Sequence, residues 1–369
     1  MKYQASILAH DAFLFKTRMS LGSAVLLGAA WASPVWAGSV TVSGALDQYV
    51  AWAKAGSRTQ YRVDDGGNIA SRINFKGTED LGDGLRANFL MESGFNADTG
   101  TGTVPGPDFG WTRQIYVGLA GRWGSVDLGR MYTPVFYGIY RADPFGLNVV
   151  FSPLNLVSAI DGQTRLNPFA GRGSNMLRYR TPAESPLILD LAWAPGESLV
   201  ESRHSGDLVG GRIGWATDTF YLGYGLQRAR EGSAARPVPT PATSKYQAFS
   251  ASYKFNEQFQ LTANFVRNTS NLDGVPAARI TSLGTSWTIA TTTTLLAEVA
   301  RRELHDSPRG QIVMTLGADY YLSKRTVLYG RALGLNNRGG SSVSMAQVAI
   351  TPGSDEDTKV VALGMRHSF

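Results

Sequence analysis

The chain has 369 residues, 17% of them charged, a formal net charge of +6 and no cysteine. The missing cysteine rules out a disulfide, a thiolate metal site and a cysteine nucleophile, and the basic excess is too small to argue for a nucleic-acid partner. The length permits either two domains or one large all-β unit.

Residues 1–37 read as different material from the rest. Lys16 and Arg18 precede an uncharged stretch that closes on Pro34, Val35, Trp36 and Ala37. A basic n-region, an apolar h-region over 21–30 and small residues at Val35 and Ala37 predict an export signal cleaved before Gly38. A single membrane anchor is the alternative, opposed by Pro34 and by the Gly, Ala and Ser content. The polar residues before Lys16 leave the true start, between Met1 and Met19, open. Removing this segment leaves about four more basic than acidic residues. Beyond it no apolar run approaches the ~18 residues of a membrane helix, so any membrane crossing must be made by strands.

From Gly38 onward apolar residues recur at every second position. Sixteen strands are predicted, at 39–53, 71–77, 85–95, 113–120, 124–131, 176–183, 187–195, 207–216, 219–228, 246–255, 259–267, 278–289, 293–302, 311–322, 326–335 and 360–369. In 247–255 the apolar set is Phe249, Ala251, Tyr253 and Phe255, and in 312–322 it is Ile312, Met314, Leu316, Ala318, Tyr320 and Leu322. Soluble sandwich strands run about 5–6 residues, whereas a membrane strand needs about 9–11; most of the better segments meet the second requirement. Short connectors such as KGTEDLGDG, LAGRWG and WATDT alternate with long ones at 54–70, 96–112, 132–174 and 229–245, the layout of an even-stranded transmembrane barrel. Trp123, Trp215, Phe220, Phe255, Phe259, Trp287, Tyr320 and Tyr329 fall beside the short turns, as an interfacial girdle requires. The last strand alternates through Val361, Leu363, Met365 and His367 to Phe369, an apolar final residue that points to a terminus held in structured, greasy surroundings.

Several stretches resemble the Gram-negative general porins of the Burkholderia, Bordetella and Neisseria type: SRINFKGTEDLGDGLRANFLMESGF at 71–95, RQIYVGLAGRWGSVDLGRMYTP at 113–134, SNMLRYRTP at 174–182, ADYYLSKRTVLYG at 318–330 and the terminal GMRHSF. They stand in that family's order and spacing across 38–369. The resemblance implies an all-β fold, a 16-stranded antiparallel transmembrane β-barrel with an inward-folded third loop, assembled as a homotrimer in the outer membrane among its lipid and lipopolysaccharide. It implies passive diffusion of small hydrophilic solutes through a water-filled channel, and no cofactor. It also implies that the terminal aromatic strand closes the barrel against the first strand. Residues 135–174 and 184–207 match the family pattern poorly, which leaves pore size and preference open.

Any filter should lie on the long connector 132–174, since a 43-residue segment without a strong strand pattern is usually functional. Its only acids are Asp143 and Asp161, against Arg141, Arg165 and Arg172. On the wall, parity turns Arg72, Asn74 and Lys76 inward if Ile73 and Phe75 face lipid, and Arg86, Asn88 and Glu92 inward if Leu85, Ala87 and Phe89 face out. An arginine on the lipid face near the midplane costs about 2–4 kcal/mol, which favours that assignment. The resemblance adds Arg113 and Arg178 to the basic wall, although Arg113 shares the parity of Ile115 and needs a bulge to reach the lumen. Guanidinium groups in a narrow aqueous pore would concentrate anions and reject cations, so a weak anion preference is expected, unless Glu92, Asp127 and Asp143 pair with the arginines and cancel the field.

Two other function classes stand against the channel. An enzyme with a site at the barrel rim would need a base, and the candidates His204, His305 and His367 have no Gly-x-Ser-x-Gly elbow or HExxH partner. A plugged barrel acting as an adhesin differs in conductance alone. Asp355, Glu356 and Asp357 offer hard oxygens, but their spacing is not that of an EF-hand, and a charged exposed loop is expected there. The expectation is therefore a non-enzymatic channel without a metal site.

Overall fold

The period-two alternation of β-branched and aromatic residues becomes strands because each pleat then offers one apolar and one polar face. The computed structural model describes residues 39–103, 109–161, 169–197, 204–233, 236–345 and 350–369; the expected export signal and Arg165 lie outside them. Barrel strands are numbered β1 Ser39–Ala55, β2 in two segments (Arg58–Asp65 and Arg72–Gly82), β3 Leu85–Asn96, β4 Gln114–Gly121, β5 Gly124–Tyr132, β6 Arg172–Arg180, β7 Leu187–Ala194 and β8 Leu208–Ala216. The second half continues with β9 Phe220–Arg230, β10 Thr243–Lys254, β11 Phe259–Ser270, β12 Ala278–Ala290, β13 Thr293–Leu304, β14 Gly310–Tyr321, β15 Thr326–Arg338 and β16 Thr358–Ser368. Each pairs antiparallel with the next, and the ring closes between β16 and β1, from Ala45 opposite Ser368 to Ala55 opposite Thr358. Phe369 completes the seam: its N–H donates to the Gly44 carbonyl and its carbonyl accepts from Gly44 N–H, both at 3.1 Å. A closed ring leaves no strand edge unpaired, which is what a hydrocarbon environment demands.

Two sequence expectations change. The connector 54–70 is not a long loop: the chain turns at Gly56 and runs back as Arg58–Asp65, paired with the outer half of β1. Strand β2 then breaks at 66–71, where Asp47 Oδ2 accepts the N–H groups of Asn68 (2.7 Å) and Ile69 (2.6 Å). The polar character of RTQYRVDD conceals this strand from a hydrophobic pattern. The other change is Tyr329, which is not part of the girdle. It points inward, buried, and donates its hydroxyl to Asp47.

The outward face is apolar: Val117, Leu128, Trp193, Ile213, Leu222, Phe249, Leu283, Met314 and Leu363 are all exposed there. Trp123, Trp215, Phe255, Trp287 and Tyr320 are exposed beside the short turns. No helix among the described residues is long and apolar enough to cross a membrane.

The connector between β5 and β6 carries structure of its own. Helix α1, Pro134–Tyr140, starts at Thr133, whose Oγ1 accepts Phe136 N–H at 3.4 Å, with Pro134 in the first turn. A 3-10 turn, Pro153–Ser158, is capped by Ser152, whose Oγ accepts Leu154 N–H at 3.2 Å. Helix α1 packs on β8, β9 and β10, and the 3-10 turn on β12, β13 and β14. Ile160–Asp161 pairs with Val343–Ser344 of the β15–β16 connector. The connector thus lies inside the barrel. Its Phe145, Phe151, Leu154 and Leu156 join one apolar cluster with inward residues of the wall, many of them small: Ala51, Ala53, Ala248, Ala300 and Ala362. Small wall residues leave the room that the connector fills.

Candidate functional site

The inner face of β10 to β16 and β1 mixes small and apolar residues with buried charges, Asp47, Glu298, Arg302 and an ion pair between Arg331 and Asp319 at 2.7 Å, and β2 to β8 present a second set of charges. Their inner face and α1's end border a cavity of ≈ 990 Å³ lined by Lys76, Arg86, Tyr116, Arg141, Arg180 and Arg212, among others. The lumen parity expected for β2 and β3 holds there, because Phe75 and Phe89 stand on the opposite face of the pleat from Lys76 and Asn88.

Each expected cation has a definite setting. Lys76 and Arg86 are exposed to the cavity and have no carboxylate within ion-pair distance among the described residues. Asp80, opposite Arg86 in register, accepts the Gly82 N–H at 2.9 Å instead. Arg141 caps the C-terminus of α1, stands 5.1 Å over the Tyr221 ring, and also lacks an acidic partner among the described residues. A cation at that helix end is favoured by the dipole only weakly, and its charge remains available to the cavity.

The remaining guanidiniums are paired. Arg178 is buried: Nε and Nη2 donate to the two Asp190 oxygens at 2.8 and 2.7 Å, and Nη1 donates to the Tyr132 carbonyl at 2.9 Å. Such a bidentate pair is a fixed brace more than a mobile charge. Arg113 lies in a bend just before β4, so strand parity does not bind it and no bulge is needed. Its Nε donates to Glu92 Oε1 at 2.7 Å and its Nη2 to the Tyr132 hydroxyl at 2.6 Å. Arg72 stands 4.0 Å from the other Glu92 oxygen.

Two cations that the sequence reading did not single out complete the wall. Arg180 Nη2 meets Asp127 Oδ2 at 2.5 Å, and Arg212 Nη2 donates to Asp190 Oδ2 at 3.2 Å. Arg180 was legible, since it sits two positions beyond Arg178 and so on the same face of β6. Arg212 has the inward parity of β8, opposite Ile213. Of the acids expected to cancel the field, Glu92 and Asp127 do pair with arginine. Asp190 and Glu92 are each shared between two guanidiniums, so the pairing leaves a positive excess beside the unpaired Lys76, Arg86 and Arg141. Glu184 and Asp218 lie on the short turns at the cavity's mouth.

Asp143 meets no arginine. It is a staple within the connector, accepting Phe145 N–H and Leu147 N–H at 2.7 Å each and the Ser152 hydroxyl at 2.6 Å. Burial pushes its carboxyl above the ordinary range, against the opposing effect of those bonds. The Glu298 carboxyl of β13, buried, faces it. The backbone of Asp161 belongs to the short strand pairing described above. Glu356 accepts from Arg58 and from Gly353 N–H, and Asp355 from Gly340 N–H; no cluster able to hold a metal ion occurs among the described residues.

Known proteins resemble this chain in sequence and fold. Residues 22–340 match the Gram-negative porin family. Outer membrane porin protein 32 of Delftia acidovorans is 27% identical over 96% of this chain and 99% of its own length. The solved barrel described as an anion-selective porin from Comamonas acidovorans superposes with a TM-score of 0.78 at 25% identity, covering 90% of this chain and all of that one. The trimer form of OmpT from Vibrio cholerae has the same fold, with a TM-score of 0.66 at 13% identity over 90% of this chain and 99% of that one. The closed sixteen-stranded ring is the fold of those solved barrels, and the family match spans most of the sequence: the chain belongs to the Gram-negative porin family, as an outer-membrane barrel for passive diffusion.

Proposed function

We propose that this porin passes small hydrophilic anions in preference to cations, with 132–174 as its constriction loop and the basic wall of β2 to β8 as its filter. The observation that carries the reading is the trio Lys76, Arg86 and Arg141, exposed around one cavity without an acidic partner among the described residues. In a lumen walled by low-dielectric protein, such charges raise the local concentration of anions. Arg178, Arg113 and Arg72 serve this reading as braces that hold the wall's shape and contribute a shared excess of charge. The anion-selective porin similar to this chain supports the sign of the preference. Export through the signal at 1–37 and assembly as a homotrimer, the latter known in a trimer form for the OmpT fold relative, belong to the same proposal.

Swelling of liposomes that contain the refolded protein tests it. Gluconate should enter faster than glucosamine, a solute of similar size and opposite charge, and the difference should shrink at high salt. Faster entry of glucosamine would refute the anion preference, and no entry of either would favour the plugged barrel.

A further inference from the structure

The third loop carries aromatic rings that a filter for small inorganic anions does not use. Phe136 and Tyr140 stand four residues apart, and so on one face of α1; Tyr132, at the end of β5, completes their row. The ring planes are nearly parallel. Tyr132 and Phe136 are inclined by 22° with centroids 4.1 Å apart, and Phe136 and Tyr140 by 18° with centroids 6.0 Å apart. At 6.0 Å the second pair is not in full face contact, which leaves ring surface uncovered: Phe136 is half-buried and Tyr140 is 47% exposed.

The row is anchored at one end and open at the other. Tyr132 is buried, its hydroxyl accepts from Arg113 and Arg172 at 2.6 and 2.5 Å, and the Arg172 guanidinium stands 4.3 Å from its ring centroid. Tyr140 lies beside Gly146, where an added Cβ would come within 3.2 Å of its Cε2, so the glycine leaves room for the ring. Its neighbour in sequence is Arg141, exposed at the cavity. Arg72, which shares Glu92 with Arg113, acts electrostatically on both Tyr132 and Tyr140. The row thus runs from the long-loop end of β5 to the edge of the cavity, and its open ring stands in the field of two cations. Rings that line a wet pore expose apolar surface to water, which a solute with a flat ring of its own would cover.

From this geometry we infer that the face of α1 carrying Phe136 and Tyr140 is a transit site for small aromatic acids, ring against ring, with the acid group directed toward Arg141 or Arg72. Ring and charge act together: stacking orients the solute, and the guanidiniums attract its carboxylate or sulfonate. A contact of this strength holds a solute briefly and releases it, as conduction requires. The inference rests on the anion-channel reading and names the class of solute that the filter would serve.

Block of the wild-type chloride current in a planar bilayer tests it, with benzenesulfonate and cyclohexanesulfonate as probes. Both stay ionised and have similar size, but only the first has a flat aromatic ring. Benzenesulfonate should reach half-block at a concentration about fivefold lower than cyclohexanesulfonate, and about fivefold lower than the uncharged benzenesulfonamide. This comparison needs no variant to fold. Y140L should remove the preference for the aromatic sulfonate, and Y140F should keep it. Saturation-transfer NMR on the folded barrel reads the same ring contact without any current: transfer to benzenesulfonate should exceed that to cyclohexanesulfonate and fall in Y140L. Equal block by the two sulfonates in a chloride-preferring channel would overturn this inference and leave the channel reading standing. Strong transfer to benzenesulfonate from a barrel that does not conduct would support the site and strike the channel reading, whereas absence of transfer would overturn the site whatever the conductance.

Discussion

Replacing Asp143 by alanine tests whether the third loop is held in the lumen by its own internal bonds. The carboxylate accepts three hydrogen bonds, from Phe145 N–H, Leu147 N–H and the Ser152 hydroxyl, in a buried setting that water does not replace. Leaving a buried donor unsatisfied costs about 1–3 kcal/mol, so three give about 3–9 kcal/mol against the turn over 143–152. Asparagine keeps one acceptor oxygen; placed where Oδ2 stands, it retains Leu147 and Ser152 and loses Phe145, for about 1–2 kcal/mol. The apolar side chains Phe145, Phe151 and Leu154 still bury against the wall, so the expected result is a loosened loop in an intact barrel. Heat-modifiability on gels should show a lower unfolding midpoint in D143A, with D143N between it and wild type. Single-channel recordings should show larger and noisier conductance in the same order. A D143A protein with wild-type midpoint and quiet wild-type conductance would refute the claim that this staple positions the loop.

Other expectations follow from the same geometry. Burial holds the Asp143 carboxyl above its ordinary range, so its protonated form is favoured in the folded loop; that contribution is complete below the ordinary carboxylate pKa and is lost as pH rises through the raised value. Channel noise should therefore grow as pH rises above the carboxylate range, and E298Q, which removes the facing acid, should flatten the dependence. R178A leaves Asp190 buried with Arg212 alone and should cost about 3–5 kcal/mol in stability, whereas R86A should leave the unfolding midpoint unchanged and reduce anion preference. A Cβ on Gly284 would stand 2.7 Å from Pro144 Cγ and 2.8 Å from Thr262 Oγ1; G284V should push the loop off β12 at about 1–3 kcal/mol and alter conductance, and wild-type conductance in G284V would contradict the packing.

The barrel was legible in the sequence because its rule is local. Parity alone assigns Phe249, Met314 and Leu363 to the lipid side, and the structure agrees. What was not legible depends on contacts between distant segments. Ala51, Ala248 and Ala300 look like ordinary small strand residues until the loop is seen to fill the space above them. The pairing of Arg178 with Asp190 requires the register of β6 against β7, which no hydrophobic pattern supplies. Tyr329 shows the limit of composition: beside a short turn it reads as a girdle residue, yet its odd position places it inward, and the parity of its neighbour Leu328 carried that signal. Segment 58–65 escaped because a strand at the outer rim has few apolar residues to alternate. Among the filter residues, inward direction was readable for Lys76 and Arg86, but the distinction between free and paired cations was not, because it turns on where Glu92, Asp127 and Asp190 lie in space.

The most direct test of the account is the reversal potential of the wild-type channel in a planar bilayer under a potassium chloride gradient, set beside that of K76Q/R86Q/R141Q. The account predicts a wild-type potential displaced toward the chloride equilibrium value, with the displacement reduced in the triple variant while the barrel remains heat-modifiable. A wild-type potential displaced toward potassium, or a displacement toward chloride that survives the loss of all three cations unchanged, would contradict it.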